Sequence, residues 1–441
     1  AFTGTALGFF GLFPSDFGRS VSPQLNFLFW LSEFLLLWRL MVGPPPRRPR
    51  LLCALAAVNF GALFYLYTYY WTFYLAFFLL AAVLFSYRGF RREVARTAGI
   101  AVGGLVLAIP YFLMMMRAIA LPEYWETLRR VGLIETHFPS GIEIMLAALA
   151  LLTAFAAFRW RRILEFNQPS LLLLAGTLAA LFVVNQHVIT GRNLEFSSHY
   201  WMPAAFWFAF SAAYLFRLTG LTRSPLFAPL AAGAMAAAFT VVAVRLPLRD
   251  VLNPPPQEWL TRNRYEPAFS WIRAYVPADA VIYASPELSS WIPIYTSANV
   301  YFAGQARFFW VPNAEVLERF LIAHFFDPIT PEFVARHIRE IYGVEFADIA
   351  GHNRQINRVR SLFGLQPFAV DPVPEHAIGR VLDRSRELGQ EGFERALKRY
   401  RAEYIVWDAA AEPGRPYDAL AFLERAAEID GFRIYRVREL P

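Results

Sequence analysis

Long apolar runs follow one another from about residue 23 to residue 246, and polar residues mark the gaps between them. A helix that crosses the hydrocarbon core of a bilayer needs roughly 20 apolar residues. The pattern therefore predicts an all-α membrane domain of about eight transmembrane helices, at 23–42, 51–67, 70–86, 98–116, 142–158, 170–189, 200–216 and 226–245. Between the second and third, the sequence Tyr67-Thr-Tyr-Tyr-Trp71 predicts an interfacial turn, since these aromatic residues prefer the headgroup level.

The pattern changes after Gln257, where charged residues become dense and long apolar runs stop. Short runs rich in β-branched and aromatic residues predict strands at 280–284, 300–302, 404–407 and 432–437. Helical patterns lie between and beside them, at 267–275, 315–324, 331–342, 389–401 and 417–427. This alternation predicts a small α/β domain with a mostly parallel sheet. The expected organisation is a segment 1–22, a transmembrane domain 23–246, a linker 247–266 and an α/β domain 267–441.

Arginines occur in every second gap between the apolar runs, and this places the chain in the membrane with a defined orientation. They are Arg47, Arg48, Arg50, Arg88, Arg91, Arg92, Arg96, Arg159, Arg161, Arg162, Arg217 and Arg223. By the positive-inside rule this face is cytoplasmic, so residues 1–22 and the α/β domain are expected to be extracytoplasmic, on a bacterial inner membrane. The net charge of +7 then reflects topology, and a nucleic-acid partner is disfavoured.

The chain starts at Ala1 without a methionine or a signal segment, although its first residues are expected outside the cell. We therefore expect a missing upstream part, with residues 1–22 as the end of a truncated extracytoplasmic loop. Cys53 is the sole cysteine, which excludes an intramolecular disulfide. His324 with Asp327 and His337 with Glu340 have helical spacing, but no third ligand is evident for either pair, so no metal site is predicted.

Several segments carry a resemblance to a known superfamily. They are Asn185-Gln-His-Val-Ile-Thr-Gly191 with His199-Tyr200, the turn at 67–71, and Phe269-Ser-Trp-Ile-Arg-Ala-Tyr-Val-Pro277 leading into Val281-Ile-Tyr-Ala-Ser-Pro286. In these the chain resembles bacterial membrane proteins allied to the type C glycosyltransferases. The resemblance implies a polyprenyl-phosphate-linked sugar as donor and transfer on the extracytoplasmic side. It also implies a catalytic acid in the first outer loop, between the first two spans, and we expect this sequence to begin inside or after that loop.

Transfer from such a donor needs a carboxylate base, cationic or donor groups for the phosphate, and an apolar groove. The residues predicted at the outer face supply candidates for each. Candidate bases are Asp16, Glu123 and Glu135, with Glu126 and Glu195 as further carboxylates; candidate substrate-binding residues are Arg19, Arg129, Arg130, His137, Gln186, His187, Arg192 and His199. The alternative for each is a solvated loop charge or a partner of lipid headgroups. A divalent cation bound by oxygen ligands is left open.

Asn185, Gln186 and His187 have two interpretations, of which the cavity is slightly favoured because Thr190, Gly191 and His199 follow directly. As consecutive polar residues near a helix end, they line the bottom of a substrate cavity, or they bond to neighbouring helices as structural contacts.

Two functions therefore remain. The first is an integral membrane glycosyltransferase that moves a hexosyl or pentosyl group to an envelope acceptor. The alternative is a non-catalytic transporter or assembly subunit of an envelope complex, whose outer domain binds partners. The donor sugar, acceptor and oligomeric state stay open.

Overall fold

The computed structural model describes residues 24–193, 196–220 and 263–438. Contacts within these residues form two units. We call 24–117 with 135–220 the helical unit, and 118–134 with 263–438 the C-terminal unit. The segment 118–134, which the hydrophobic pattern predicts as a loop of the membrane domain, thus belongs with the second half of the chain.

The described part of the helical unit consists of helices. They are α1 (Gln24–Met41), α2 (Pro49–Leu66), α3 (Thr68–Tyr87), α4 (Arg91–Leu107), α5 (Ile109–Ile119), α7 (Ile142–Trp160), α8 (Gln168–Thr190) and α9 (Trp201–Leu218), with a 3₁₀ turn at Ser197–Tyr200 before α9. These positions match seven of the predicted spans, except that the fourth is broken between α4 and α5. The eighth, 226–245, lies outside the described residues. The connection between α5 and α7 passes through the segment 118–134 of the C-terminal unit.

Membrane-length helices are confirmed, but a count of eight is not supported. In the described residues, α2, α3, α7 and α8 are long and apolar enough to cross a bilayer. Counted as one span, α4 and α5 give a fifth, although they bend by 57° at their junction. Neither α1 nor α9 is among these helices; α1 carries Glu33 and Arg39, and α9 carries Pro203 and Arg217.

Aromatic side chains fill the interior of the helical unit. Trp30 of α1 lies against Tyr74 of α3 and Trp207 of α9, with ring centroids 5.6 and 6.1 Å away. The Tyr74 hydroxyl donates to the Trp30 carbonyl at 2.7 Å, which satisfies a polar group within this apolar core. Glu33 is fully buried nearby and accepts a 2.9 Å hydrogen bond from the side chain of Asn59 on α2.

Several predicted cytoplasmic arginines meet at one end of this unit. Arg96 donates to the carbonyl of Leu40 at 2.6 Å, Arg88 donates to the carbonyl of Phe166, and Arg159 lies over the Phe166 ring. The break between α2 and α3 is also observed, but only Tyr67 is extended, and Thr68–Trp71 form the first turn of α3.

The C-terminal unit combines helices with a five-stranded sheet. Its helices are α6 (Tyr124–Arg130), α10 (Glu266–Tyr275), α11 (Pro286–Tyr295), α12 (Asn313–Ala323), α13 (Pro331–Tyr342), α14 (Glu345–Leu362), α15 (Glu375–Glu391) and α16 (Phe393–Arg399). Its strands are β1 (Val281–Ala284), β2 (Asn299–Val300), β3 (Tyr404–Asp408), β4 (Leu423–Ile429) and β5 (Phe432–Val437).

The sheet has the order β2-β1-β3-β5-β4 and separates two apolar clusters. Strands β2, β1 and β3 are parallel, whereas β5 is antiparallel to both β3 and β4. The sheet is therefore mixed and not mostly parallel. Strand β3 is buried along its whole length, as expected for a central strand with both faces covered.

Two predicted elements differ from the structure. The predicted helix 417–427 is wrong, since a short 3₁₀ turn at Tyr417–Ala419 leads into β4. The predicted helix 389–401 is divided at Gly392, which has a positive φ of 89° and separates α15 from α16. Glycine tolerates this conformation because it has no Cβ.

Candidate functional site

The C-terminal end of α8 carries three of the polar residues singled out in the sequence. The helix is distorted at Asn185, whose φ and ψ are −125° and 17°, and it ends at Gly191 in the left-handed region. Asn185 accepts from the amide of Ser140 at 3.1 Å, and Gln186 donates to the carbonyl of Arg192 at 3.0 Å. The buried His187 is bonded through Nε2 to the carbonyl of Phe138, at 2.9 Å. All three side chains therefore hold the backbone around this helix end.

The loop before α7 lies across the same helix end and brings further candidates with it. Thr136 donates its amide to the Gly191 carbonyl at 2.9 Å, and Glu135 and Arg192 form an antiparallel bridge. His137 is exposed, with Nδ1 3.0 Å from the carbonyl of Val188. A Cβ on Gly191 would lie 2.9 Å from the His137 ring, so glycine is needed both for its conformation and for this close approach.

His199 lies among aromatic rings at the break between α2 and α3. Its Nδ1 is 2.6 Å from the Tyr67 hydroxyl, and its ring stacks on Tyr69 with centroids 4.4 Å apart. The adjacent Tyr200 is buried, with its hydroxyl 2.8 Å from that of Thr72. His199 as a whole is half-buried, and its ring is held by Tyr67 and Tyr69.

Packing at Gly141 brings the loop that lies across the end of α8 next to the turn that carries His199. A Cβ on Gly141 would lie 3.5 Å from the Cβ of Ser197, which begins the 3₁₀ turn that carries His199. We call Glu135, His137, Gln186, His187, Arg192 and His199 the α8-end cluster. It combines an exposed carboxylate, an exposed guanidinium and imidazoles, which are the groups needed to move a proton and to bind an anion.

The remaining described candidates lie in the C-terminal unit. Arg130 is fully buried at the end of α6 and donates to Asn313 Oδ1, Thr127 Oγ1 and the Phe309 carbonyl, at 3.0, 2.8 and 2.9 Å. Burial lowers the pKa of its guanidinium, although nearby carboxylates oppose this effect. Arg130 is therefore fixed by protein groups, and its position does not suit an exposed phosphate site.

Two neighbours of Arg130 have different surroundings. Glu126 accepts a 2.6 Å hydrogen bond from the amide of Asn313 at the start of α12, where a carboxylate is favoured. Arg129 is exposed and Glu123, just before α6, is half-buried. Glu345 lies near both arginines, and burial raises the pKa of its carboxyl despite their charges. No pattern in the sequence predicts that this segment packs with residues 309–345.

The last candidates lie outside the described residues. Asp16 and Arg19 belong to the first 23 residues, and Glu195 belongs to the short gap before the 3₁₀ turn. The described candidates are therefore divided between the α8-end cluster and the Arg130 surroundings, which belong to different units.

Sequence reasoning missed the roles of Tyr67 and Tyr69. The preference of tyrosine for the membrane interface predicts only a turn at 67–71, whereas in the structure two of its side chains contact His199. Comparisons with protein-family models, curated proteins and solved structures yield no match to this chain.

Proposed function

We propose that this protein is an integral membrane glycosyltransferase. It would move a sugar from a polyprenyl-phosphate donor to an envelope acceptor, on the extracytoplasmic face of a bacterial inner membrane. The proposal rests first on the resemblance of its motifs to the type C superfamily. The structural observation that supports it best is the α8-end cluster, where His199 is held by Tyr67 and Tyr69 at the end of long apolar helices.

The chemistry proposed for this cluster is a single displacement. The acceptor hydroxyl oxygen forms a bond to the anomeric carbon, and the bond from that carbon to the phosphate oxygen breaks. The acceptor proton passes to a base, and the polyprenyl phosphate leaves with the bonding electron pair. His199 or Glu135 would take the proton, and Arg192 and His137 would face the phosphate. The apolar surface of the helices would receive the isoprenoid chain.

With the α8-end cluster on the extracytoplasmic face, the orientation of the chain follows the topology predicted from its arginines. The arginines at the opposite end, among them Arg88 and Arg96, would then face the cytoplasm, and the C-terminal unit would be extracytoplasmic. Asp16 and Arg19 remain further candidates for base and phosphate ligand. Arg130 is not retained as a substrate ligand, because its side chain is fully buried and its Nη1 and Nη2 atoms donate within the C-terminal unit.

The test is turnover by the full chain reconstituted in liposomes with labelled polyprenyl-phosphate hexoses and pentoses. We expect His199→Ala to lower turnover at least tenfold, since a positioned acid or base contributes roughly 10²–10⁴-fold. His137→Ala and Arg192→Ala should also lower it. Arg92→Ala, an exposed arginine at the start of α4, is the matched control and should keep full activity.

Correct insertion of each variant would be checked by its elution in detergent. If no donor is turned over, or if His199→Ala, His137→Ala and Arg192→Ala are all as active as the parent and the Arg92→Ala control, the proposal is refuted.

The alternative is a non-catalytic transporter or envelope assembly subunit. The observation that favours it is the use of Asn185, Gln186 and His187 in bonds to the backbone, which is expected of a structural contact. A protein with no turnover that co-purifies in defined stoichiometry with an envelope complex would support this alternative.

A further inference from the structure

Two histidine–carboxylate pairs of the C-terminal unit, separate in the sequence, meet in the structure. His324 follows α12 directly, and His337 and Glu340 lie one turn apart on α13. One ligand atom from each of these three residues lies within 4.8 Å of the others. We propose that His324, His337 and Glu340 bind a divalent transition-metal ion, with Zn²⁺ as the best fit. This inference is independent of the proposed glycosyl transfer.

The first support is the orientation of His324. Its Nδ1 lies 2.7 Å from Asp327 Oδ2, and an ionised carboxylate can only accept, so Nδ1 carries the proton. In the neutral ring the lone pair is then on Nε2. Histidines that bind metals commonly donate their other nitrogen to a carboxylate in this way, which fixes the tautomer and the direction of the ring.

The carboxylate behind His324 is itself fixed. Arg415 contacts Asp327 Oδ1 at 2.9 Å and also Glu412 at 3.1 Å. The charge of Asp327 is therefore balanced by Arg415 without the proposed metal ion.

The second support is an unsatisfied atom. His324 is only 8% exposed, and its buried Nε2 finds no hydrogen-bond partner among the residues that the structure describes. A buried lone pair without a partner is unfavourable, and native proteins rarely leave one. The ring of His337 is close to it, with centroids 5.4 Å apart. A cation between the two imidazoles would satisfy Nε2.

The surroundings are apolar on two sides. The ring of Phe320 lies 4.6 Å from that of His324, and the ring of Phe333 lies 4.4 Å from that of His337. Such a shell limits access of water and strengthens a charge interaction. Glu340, 2.7 Å from Nδ1 of His337, supplies the negative charge on the open side. Two imidazoles and one carboxylate would leave a cation of charge +2 with a net charge of +1.

The geometry needs a small adjustment. With bonds of about 2.0–2.1 Å, ligand atoms of tetrahedral zinc are separated by about 3.3 Å. The present separations of up to 4.8 Å must therefore contract. His337 and Glu340 have side chains 28% and 34% exposed, so both can rotate without disturbing the core. Three protein ligands leave a fourth position for water or an exogenous ligand, as in open zinc sites.

The test uses the full chain in detergent, purified without a histidine tag and stripped with a chelator. Zn²⁺ is titrated against a chromophoric chelator, and Co²⁺ is added separately to record its visible absorption. We expect one tightly bound equivalent of Zn²⁺ and the absorption of four-coordinate Co²⁺. His337→Asn and Glu340→Gln should each weaken Zn²⁺ binding at least tenfold, as loss of even outer partners costs 10–100-fold.

His376→Asn is the matched control, since His376 is exposed on α15 of the same unit. It should bind Zn²⁺ like the parent. Both test substitutions are at partly exposed positions, and an unchanged far-UV circular dichroism spectrum would show that they fold. Absence of a tight equivalent, or equal affinity in His337→Asn and His376→Asn, would overturn the proposal.

Discussion

The close approach of α2 and α4 depends on Gly104, and its replacement by alanine tests the packing of the helical unit. A Cβ at this position would overlap Cδ1 of Phe60 and lie 3.0 Å from Cγ of the same ring. Carbon atoms pack favourably at about 3.5–4.0 Å, so the ring would have to move. It has little room, because Phe60 is fully buried and packs against Phe64 and Phe78, with centroids 5.3 and 4.9 Å away.

The expected cost is that of an overpacked core, about 1–3 kcal/mol. Alanine also favours the helix relative to glycine by about 1 kcal/mol, and this gain must be removed from the comparison. Gly99→Ala provides the correction, since Gly99 is exposed on the same helix and nothing lies within 4 Å of its Cβ position. The difference between the two variants therefore isolates the packing cost.

The assay is the thermal midpoint of the full chain in one detergent, measured as the fraction that remains monodisperse after heating. For a unit of this size each kcal/mol shifts the midpoint by about 2–4 °C, so Gly104→Ala should unfold about 2–12 °C below Gly99→Ala. Phe60→Leu should recover part of the loss when combined with Gly104→Ala, because it removes the colliding ring. Equal midpoints for the two glycine variants would refute this account of the interface.

Two further substitutions test the C-terminal unit. Arg130→Met should lower its unfolding free energy by about 1–3 kcal/mol, because buried oxygen acceptors lose their donor. Hydrogen exchange of the peptides around 127 and 313 in the full chain would measure this, with the exposed neighbour Arg129→Met as control, and equal exchange in both variants would contradict it. Glu318 accepts hydrogen bonds from Arg384, Arg399 and Tyr400. Burial acts to raise the pKa of Glu318, but these hydrogen bonds outweigh it and lower the pKa. The contribution of Glu318 to the free energy of unfolding is therefore complete above the ordinary glutamate pKa of about 4.3, and it is lost as the pH falls through the lower pKa of the folded state. The stability difference between wild type and Glu318→Gln, followed by urea unfolding, should therefore shrink from pH 7 to pH 3, and a constant difference would disprove the assignment.

The hydrophobic pattern predicted helix positions well, because burial in a bilayer or in a helical core imposes long apolar runs. The count of eight spans is not supported, since within the described residues α1 and α9 are not among the helices that are long and apolar enough to cross a bilayer. The difference is physical: a helix can be apolar because it packs against protein as well as because it meets lipid. Trp207 of α9 and Trp30 of α1 are fully buried within the protein.

In the C-terminal unit, local propensity predicts the wrong secondary structure where pairing with another strand determines it. The sequence of β4, Leu-Glu-Arg-Ala-Ala-Glu-Ile, is rich in helix-forming residues, yet it forms a strand because β5 pairs along its length. Helix α14 was missed because it is polar on most sides and buries only Ala350. Such a helix has no apolar periodicity to detect.

The candidate site shows the same limit. The sequence identified His199, His187 and Arg192, but the pairing of His199 with Tyr67 joins residues 132 positions apart. Likewise, each histidine–carboxylate pair was visible through its helical spacing. Their convergence depends on the turn from 324 to 330, where Thr330 caps α13 and sets the direction of that helix. No local rule specifies this geometry.

The C-terminal unit is built from two stretches that are far apart in the chain, and this affects how it folds during synthesis. Arg130 bonds to Asn313, 183 residues later, so α6 cannot reach its final partners when it is synthesised. At about 5–20 residues per second, the ribosome needs roughly 10–40 s to supply them. During this interval Arg130 and the apolar side chains of α6 cannot make their native contacts with residues 309–345. A chaperone or the membrane surface would be able to bind the segment 118–134 in that period, before the rest of the unit has been synthesised.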